Sequence, residues 1–278
     1  MLGCCARASR FGIRRLLSAV GAVAFSGCAS VYAPSTVNAP LLNGAGEIHL
    51  EGASAANGTA LTAAYALTDH IAVMGKYASA GLKEQTAQQA TANPRASEII
   101  GLRRKYGELG AGAFAPLGPL RFEAFAGAGW GKSRAHYVDN YVNLCSHGPC
   151  PADYEVQAAG TYRTGFLQGD VGFRAKVVDF GMSMRLAYLR FAFREIDNVA
   201  VSKRDTVTSV EPTAFVRLGY NAIRVALQAG PVWVVGSAKR KDAYGDAPLV
   251  ATPGIHVSLG LHGQFALFSP DGHAGGEQ

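Results

Sequence analysis

Ser258, with His256 and His262 at even spacing around it, is the one grouping in the chain that sets a nucleophile type and a base type on a single strand face. An activated serine needs its base within hydrogen-bond reach. Residues two apart on one face of a strand are separated by about 7 Å, so the group reads as polar side chains sharing a face. Gly127-Ala-Gly129-Trp-Gly131-Lys132 has the glycine spacing of a phosphate-binding loop. That chemistry uses a helix N-terminus, and here the glycines lie in a run of period two with no helix after it. Cys145, His147 and Cys150 offer three ligand types but no fourth and no common zinc spacing. A disulfide between Cys145 and Cys150, across the Gly148-Pro149 turn, is the stronger expectation in an oxidising compartment. His49, His70, His136, His147 and His273 are scattered without HxxxH spacing. The residues therefore point to no metal site, no cofactor and no enzyme.

The N-terminus carries a different chemistry. Arg7, Arg10, Arg14 and Arg15 precede an apolar run from Leu16 to Phe25, and Phe25-Ser26-Gly27-Cys28 sets small residues before a cysteine. The run is too short for a membrane span. The segment resembles the lipobox of bacterial lipoproteins, with Phe25 where Leu is commonest. That resemblance implies cleavage after residue 27 and lipidation of Cys28; the alternative is a plain secretory peptide cut elsewhere. Either reading places the mature chain outside the bacterial cytoplasm, and Cys4 and Cys5 leave with the signal.

Loss of residues 1–27 removes four arginines and no acids, so the formal charge falls from +6 to about +2. The basic balance belongs to the signal, which argues against a nucleic-acid partner. The chain has 34 glycines and only 17% charged residues, yet after Phe25 no apolar run approaches the ~20 residues of a membrane helix. The remaining way for such a chain to cross a membrane is a closed barrel.

Residues 28–45 contain two prolines and no charge, and read as an extended periplasmic tether able to reach about 50 Å. From residue 46 the period is two. Strands are predicted at 46–55, 59–67, 70–79, 97–114, 119–136, 160–177, 180–194, 209–220, 223–236 and 254–266. Ten is even, as an up-and-down barrel with both termini on one side requires, although division of the long fourth strand leaves eight or twelve open. The second, fourth, sixth and eighth connections are short: Thr68-Asp69, Pro116-Leu117-Gly118, Val178-Asp179 and Asn221-Ala222. The first, Asn57-Gly58, is a hairpin pair, and the third, fifth, seventh and ninth are long, at 80–96, 137–159, 195–208 and 237–253. Short turns on one side and long loops on the other are the habit of outer-membrane barrels. Residues 46–268 form the predicted barrel, and 269–278 a flexible tail.

Face by face, apolar rows such as Met182, Met184, Leu186 and Tyr188 oppose rows that mix both charge signs with glycine. Such mixed faces fit a narrow lumen in which charges must pair or keep water. Glu47, Glu51, Arg121, Glu123, Asp170, Arg174, Arg185, Glu211, Arg217 and Arg224 are the candidate network. Tyr65, Tyr77, Trp130, Tyr188, Tyr220 and Trp233 are candidates for an interfacial girdle. In a ten-stranded barrel the lumen is small, so side chains filling it are favoured over an open channel.

With Tyr65-Ala-Leu-Thr68, Phe166-Leu-Gln-Gly-Asp-Val-Gly172 and Met184-Arg-Leu-Ala-Tyr188, the chain resembles the small outer-membrane β-barrel lipoproteins of Gram-negative, Bacteroidota-type bacteria. The last strand ends in Phe265 but is followed by 13 more residues, whereas the insertion signal of such barrels stands at the chain end. The resemblance implies outer-membrane lipid as the surroundings, with barrel-assembly and lipoprotein-sorting machinery as partners in biogenesis. The combined expectation is an all-β, lipid-anchored transmembrane barrel with a periplasmic N-terminus and a structural or surface-interaction role. The alternatives are a narrow pore or carrier of small hydrophobic ligands, a lipid-modifying hydrolase using Ser258, and a periplasmic barrel with its apolar face turned inward.

Overall fold

The computed structural model describes residues 36–55, 58–82, 98–139, 154–196, 199–220, 222–235, 239–242, 245–248 and 254–267. Ten antiparallel strands close on themselves in sequence order: β1 (Glu47–Ala55), β2 (Gly58–Ala66), β3 (Ile71–Leu82), β4 (Glu98–Leu117), β5 (Leu120–Asp139), β6 (Tyr154–Arg174), β7 (Val178–Ile196), β8 (Val199–Tyr220), β9 (Ile223–Val235) and β12 (Gly254–Ala266). A separate hairpin, β10 (Lys239–Asp242) with β11 (Gly245–Pro248), interrupts the last connection. The seam is the ladder between β1 and β12, which runs in unbroken register from Glu47↔Ala266 to Ala55↔Ser258. Closure leaves no strand edge within the sheet.

The four short connections lie at one end, and two of them show the local chemistry that builds them. Thr68 Oγ1 accepts from the backbone N–H groups of His70 and Ile71 between β2 and β3. Gly118, at φ +59°, makes the β4–β5 turn in the left-handed region that glycine tolerates. At the other end the structure departs from expectation. β7 and β8 extend to Ile196 and from Val199, so the long seventh connection is replaced by two residues. The charged stretch 195–208 looked like a loop, but cross-strand pairing such as Leu189↔Val207 and Phe191↔Asp205 carries it onward as sheet. β6 likewise starts at Tyr154.

The alternation points outward as apolar and inward as polar. Met182, Met184, Leu186 and Tyr188 are exposed on β7, while Ser183 and Arg185 between them are buried. Outward positions stay uncharged from Leu120 to Trp130 on β5, and the next two outward residues are Lys132 and Arg134. The same break comes at Lys105 on β4, Arg163 on β6 and Arg190 on β7. Because Lys105 pairs with Lys132, and Arg163 with Arg190, these cations stand side by side around the wall.

The N-terminal segment is a correction. Residues 36–42 are not an extended tether outside the barrel: Val37, Asn38, Ala39, Leu41 and Leu42 are all at most 2% exposed, enclosed by the strands. The chain rises from β1 at the short-turn end, where Ala45 N–H donates to Asp69, and runs backwards up the lumen to Thr36, whose carbonyl accepts from Lys76 Nζ.

The glycines of β5 have a packing role. A Cβ on Gly127 would meet the Phe166 ring, one on Gly129 the Tyr106 hydroxyl, and one on Gly131 the Tyr162 ring at 2.3 Å. Each glycine is a socket for an aromatic side chain of a neighbouring strand. Tyr106 stacks on Tyr162 at 5.7 Å and Tyr162 meets Phe191 at 5.2 Å, so displacing one ring disturbs all three. Gly131→Ala is expected to lower stability by about 1–3 kcal/mol, as overpacking does. Gly165→Ala, where a Cβ meets nothing within 4 Å, should be near neutral; urea unfolding of the purified barrel in micelles measures both.

Candidate functional site: a charged lumen closed by the N-terminal segment

The lumen holds its charges against the backbone of residues 36–43. Leu42 N–H donates to Glu123 Oε1 at 2.7 Å. Gln168 Nε2 donates to the Asn38 carbonyl at 2.6 Å and to both oxygens of Asp170. Arg217 Nη2 donates to the Ala39 carbonyl at 2.7 Å, and Arg174 Nη1 to the Leu41 carbonyl at 3.0 Å. Gln228 makes a two-sided amide pair with Val37, accepting from its N–H and donating to its carbonyl, each at 3.1 Å. At the short-turn rim Arg121 donates to Asn43 Oδ1, and Asn43 N–H donates to Glu47. The segment thus supplies donors to acids and carbonyls to cations, which a main chain can do whatever its side chains are.

A second cluster lies further up. Glu108 Oε1 accepts from Lys76 Nζ at 2.9 Å and from Arg185 Nη1 at 2.8 Å, while Oε2 accepts from Arg185 Nη2 and the Tyr106 hydroxyl. Arg185 Nε is 3.8 Å from Glu211 Oε2, and its guanidinium lies 4.3 Å from the centre of the Phe166 ring. The four ionised groups are all within 2% of full burial, so each depends on the others.

A third cluster sits on the seam. His49 Nε2 lies 2.8 Å from His262 Nδ1, and Glu51 Oε2 lies 3.8 Å from the first and 3.6 Å from the second. Gln228 Nε2 donates to Glu51 Oε1 at 2.6 Å, and Arg217 Nη2 to Oε2 at 3.2 Å.

All ten residues assigned to the lumen from sequence face inward, eight of them buried; Arg121 is partly exposed at the rim and Arg174 partly exposed where it pairs with Glu47 at 2.8 Å. Arg224 pairs with Asp179, a residue assigned to a turn from sequence. Glu123 and Asp170 are direct cross-strand neighbours, and the N–H of Leu42 and the amide of Gln168 stand where a cation would otherwise be needed. Lys76, Tyr106 and Glu108 stand outside the candidate network, although their even positions on β3 and β4 follow the same inward parity, and Gln168 and Gln228, which the alternation sets on the polar faces of β6 and β9, join it. Ser258 Oγ is buried without a hydrogen-bond partner among the described residues, His256 contacts Thr213 Oγ1 at 3.3 Å, and His262 contacts His49. No Ser–His pair forms there. The seam register brings His49 and Glu51 together with His262, 213 positions from His49, a grouping that no sequence spacing announces. Cys28, Cys145 and Cys150 lie outside the described residues.

No protein-family model matches the chain, and no curated protein matches it. Among solved structures the chain is similar to OmpT (in-vitro folded), an outer membrane protein of Vibrio cholerae, with 11% sequence identity and a TM-score of 0.22, covering 79% of this chain and 96% of that one. The class is set by the strands themselves: a closed, ten-stranded, up-and-down antiparallel β-barrel.

Removing one member of a buried ion cluster leaves charge without a partner, at a cost of about 3–5 kcal/mol. Glu108→Ala takes the shared carboxylate from Lys76 and Arg185 and is expected to cost about that much, whereas Tyr106→Phe loses the bond to Glu108 and the 3.4 Å contact from Arg185 Nη2, about 1–2 kcal/mol in all. Denaturant midpoints of the two variants against the parent chain give the comparison.

Proposed function

We propose that this protein is an integral outer-membrane barrel, lipid-anchored through Cys28, with its lumen closed by its own N-terminal segment and a structural or surface-interaction role without catalysis. The observation that carries the reading is the depth of the uncharged outer band. From the short turns to the first outward cation the strands offer nine to eleven residues: Gly107–Leu117 on β4, Leu120–Trp130 on β5, Gly165–Phe173 on β6 and Val178–Tyr188 on β7. Tilted strands cross the apolar core of a bilayer in about 9–11 residues. Trp130, Tyr188 and the cations Lys105, Lys132, Arg163 and Arg190 then fall where a girdle meets the phosphates of the outer leaflet. A water-soluble barrel would have to leave Leu167, Met182, Leu218, Leu259 and Leu261, each 58–64% exposed, against solvent.

The direction of residues 42 to 36 also changes the anchoring scheme. The chain is already halfway up the lumen at Thr36, level with Lys76 and its register partner Thr62. The β1–β2 rim ends only four residues higher, at Gly58, about 14 Å along the strand. Cys28 is eight residues upstream of Thr36 and can reach about 26 Å. In this reading a lipid on Cys28 is within reach of the outer leaflet at that low rim, as an alternative to the periplasmic N-terminus expected from sequence.

Two results are expected. Outer membranes carrying wild type or Cys28→Ala retain the protein through carbonate washing, and both forms migrate faster on unboiled gels; release of Cys28→Ala with no heat-modifiability would sink the integral barrel. An epitope inserted after Ala29 is reached by antibody on intact cells. Antibody access only after permeabilisation would restore the periplasmic anchor.

A further inference from the structure

Closure of the barrel gathers three ligand-type side chains that the sequence separates. His49 and Glu51 share the inward face of β1, and the seam register sets His262 opposite Glu51. All three are at most 1% exposed. The atoms His49 Nε2, His262 Nδ1 and Glu51 Oε2 form a triangle of sides 2.8, 3.6 and 3.8 Å. One point in its plane lies about 2.0 Å from all three corners, which is the length of zinc–nitrogen and zinc–oxygen bonds.

We propose that His49, Glu51 and His262 bind a single divalent cation of the zinc class inside the lumen. Surrounding groups orient two of the three donors, His262 and Glu51, as ligands. Gln264 Oε1 lies 3.4 Å from His262 Nε2 and accepts its proton, leaving the Nδ1 lone pair for the ion. Gln228 donates to Glu51 Oε1, and Oε2, which accepts from Arg217 Nη2 on one lone pair, keeps the other for the ion. Such outer partners fix tautomer and ligand orientation in known sites. Selectivity follows from the same residues. Two imidazole nitrogens suit zinc, nickel, copper or cobalt, whereas calcium and magnesium require an oxygen cage. Arg217, at 3.2 Å from Glu51 Oε2, offsets the single carboxylate charge and further disfavours ions held by charge alone. The site rests on the lumen geometry and does not depend on whether the outer wall faces lipid.

The test uses the full-length, untagged protein in detergent, stripped with chelator and titrated with cobalt(II). Saturation at one equivalent is expected, with visible d–d bands that zinc abolishes and calcium or magnesium does not. His49→Gln and His262→Gln should weaken binding by more than about a hundredfold, and Gln264→Ala by about tenfold, the effect of an outer partner. Ser258→Ala should bind as the parent does. Heat-modifiability establishes that each variant is folded. Absence of saturable cobalt binding by the folded parent overturns the proposal, as does binding that survives in folded His49→Gln and His262→Gln together. If those variants do not fold, parental affinity in Gln264→Ala overturns it.

Discussion

The ladder between β1 and β12 is the constraint on which the rest of the molecule depends. Until those strands pair, each has an open edge and inside and outside are not yet defined. Once Glu51 stands opposite His262 and His49 opposite Gln264, every odd position of β1 is committed to the interior. Charges placed there cannot retreat to bulk water, and each must find its complement across the lumen or on whatever else the lumen contains. The seam is thus both a set of backbone bonds and the step that turns an alternating sequence into a polar core with an apolar skin.

That core is solved in two ways along its height. In its upper part side chains satisfy one another: Glu108 takes Lys76, Arg185 and Tyr106, and glycines of β5 admit the rings of Tyr106, Tyr162 and Phe166. Nearer the short turns side chains alone do not complete the set: Glu123 stands beside Asp170, and Arg217 and Arg174, each paired with a glutamate of β1, have further donors to place. There the backbone of residues 36–42 completes the set, its N–H groups facing acids and its carbonyls facing cations. A segment with no charge of its own serves this better than a charged one, because it adds hydrogen bonds without adding ions that need partners. The same contacts fill the lower lumen with main chain.

Much of the wall was readable from sequence because the period of two is a local property. Ten strands, their order, the four short turns and the inward parity of Arg121, Glu123, Asp170, Arg185, Glu211 and Arg217 follow from neighbours in the chain. What could not be read is what depends on register between distant strands or on main-chain chemistry. His49 and His262 carry no spacing signal, since only the seam unites them. Residues 36–42 looked like a linker because their contribution is peptide groups, which every sequence has. The 195–208 stretch, expected as a long connection, is instead strand paired to β7, with β-branched Val199, Val201, Val207 and Thr208 along it.

Whether the apolar wall lies in lipid is reported by the two tryptophans of the chain. Trp130 on β5 and Trp233 on β9 both face outward, at 60% and 50% exposure. In vesicles containing lipids brominated along the acyl chain, strong quenching of tryptophan fluorescence with little effect of aqueous acrylamide is expected of a wall embedded in the bilayer. Ready quenching by acrylamide with no response to brominated lipid would mean that the apolar face does not meet the membrane.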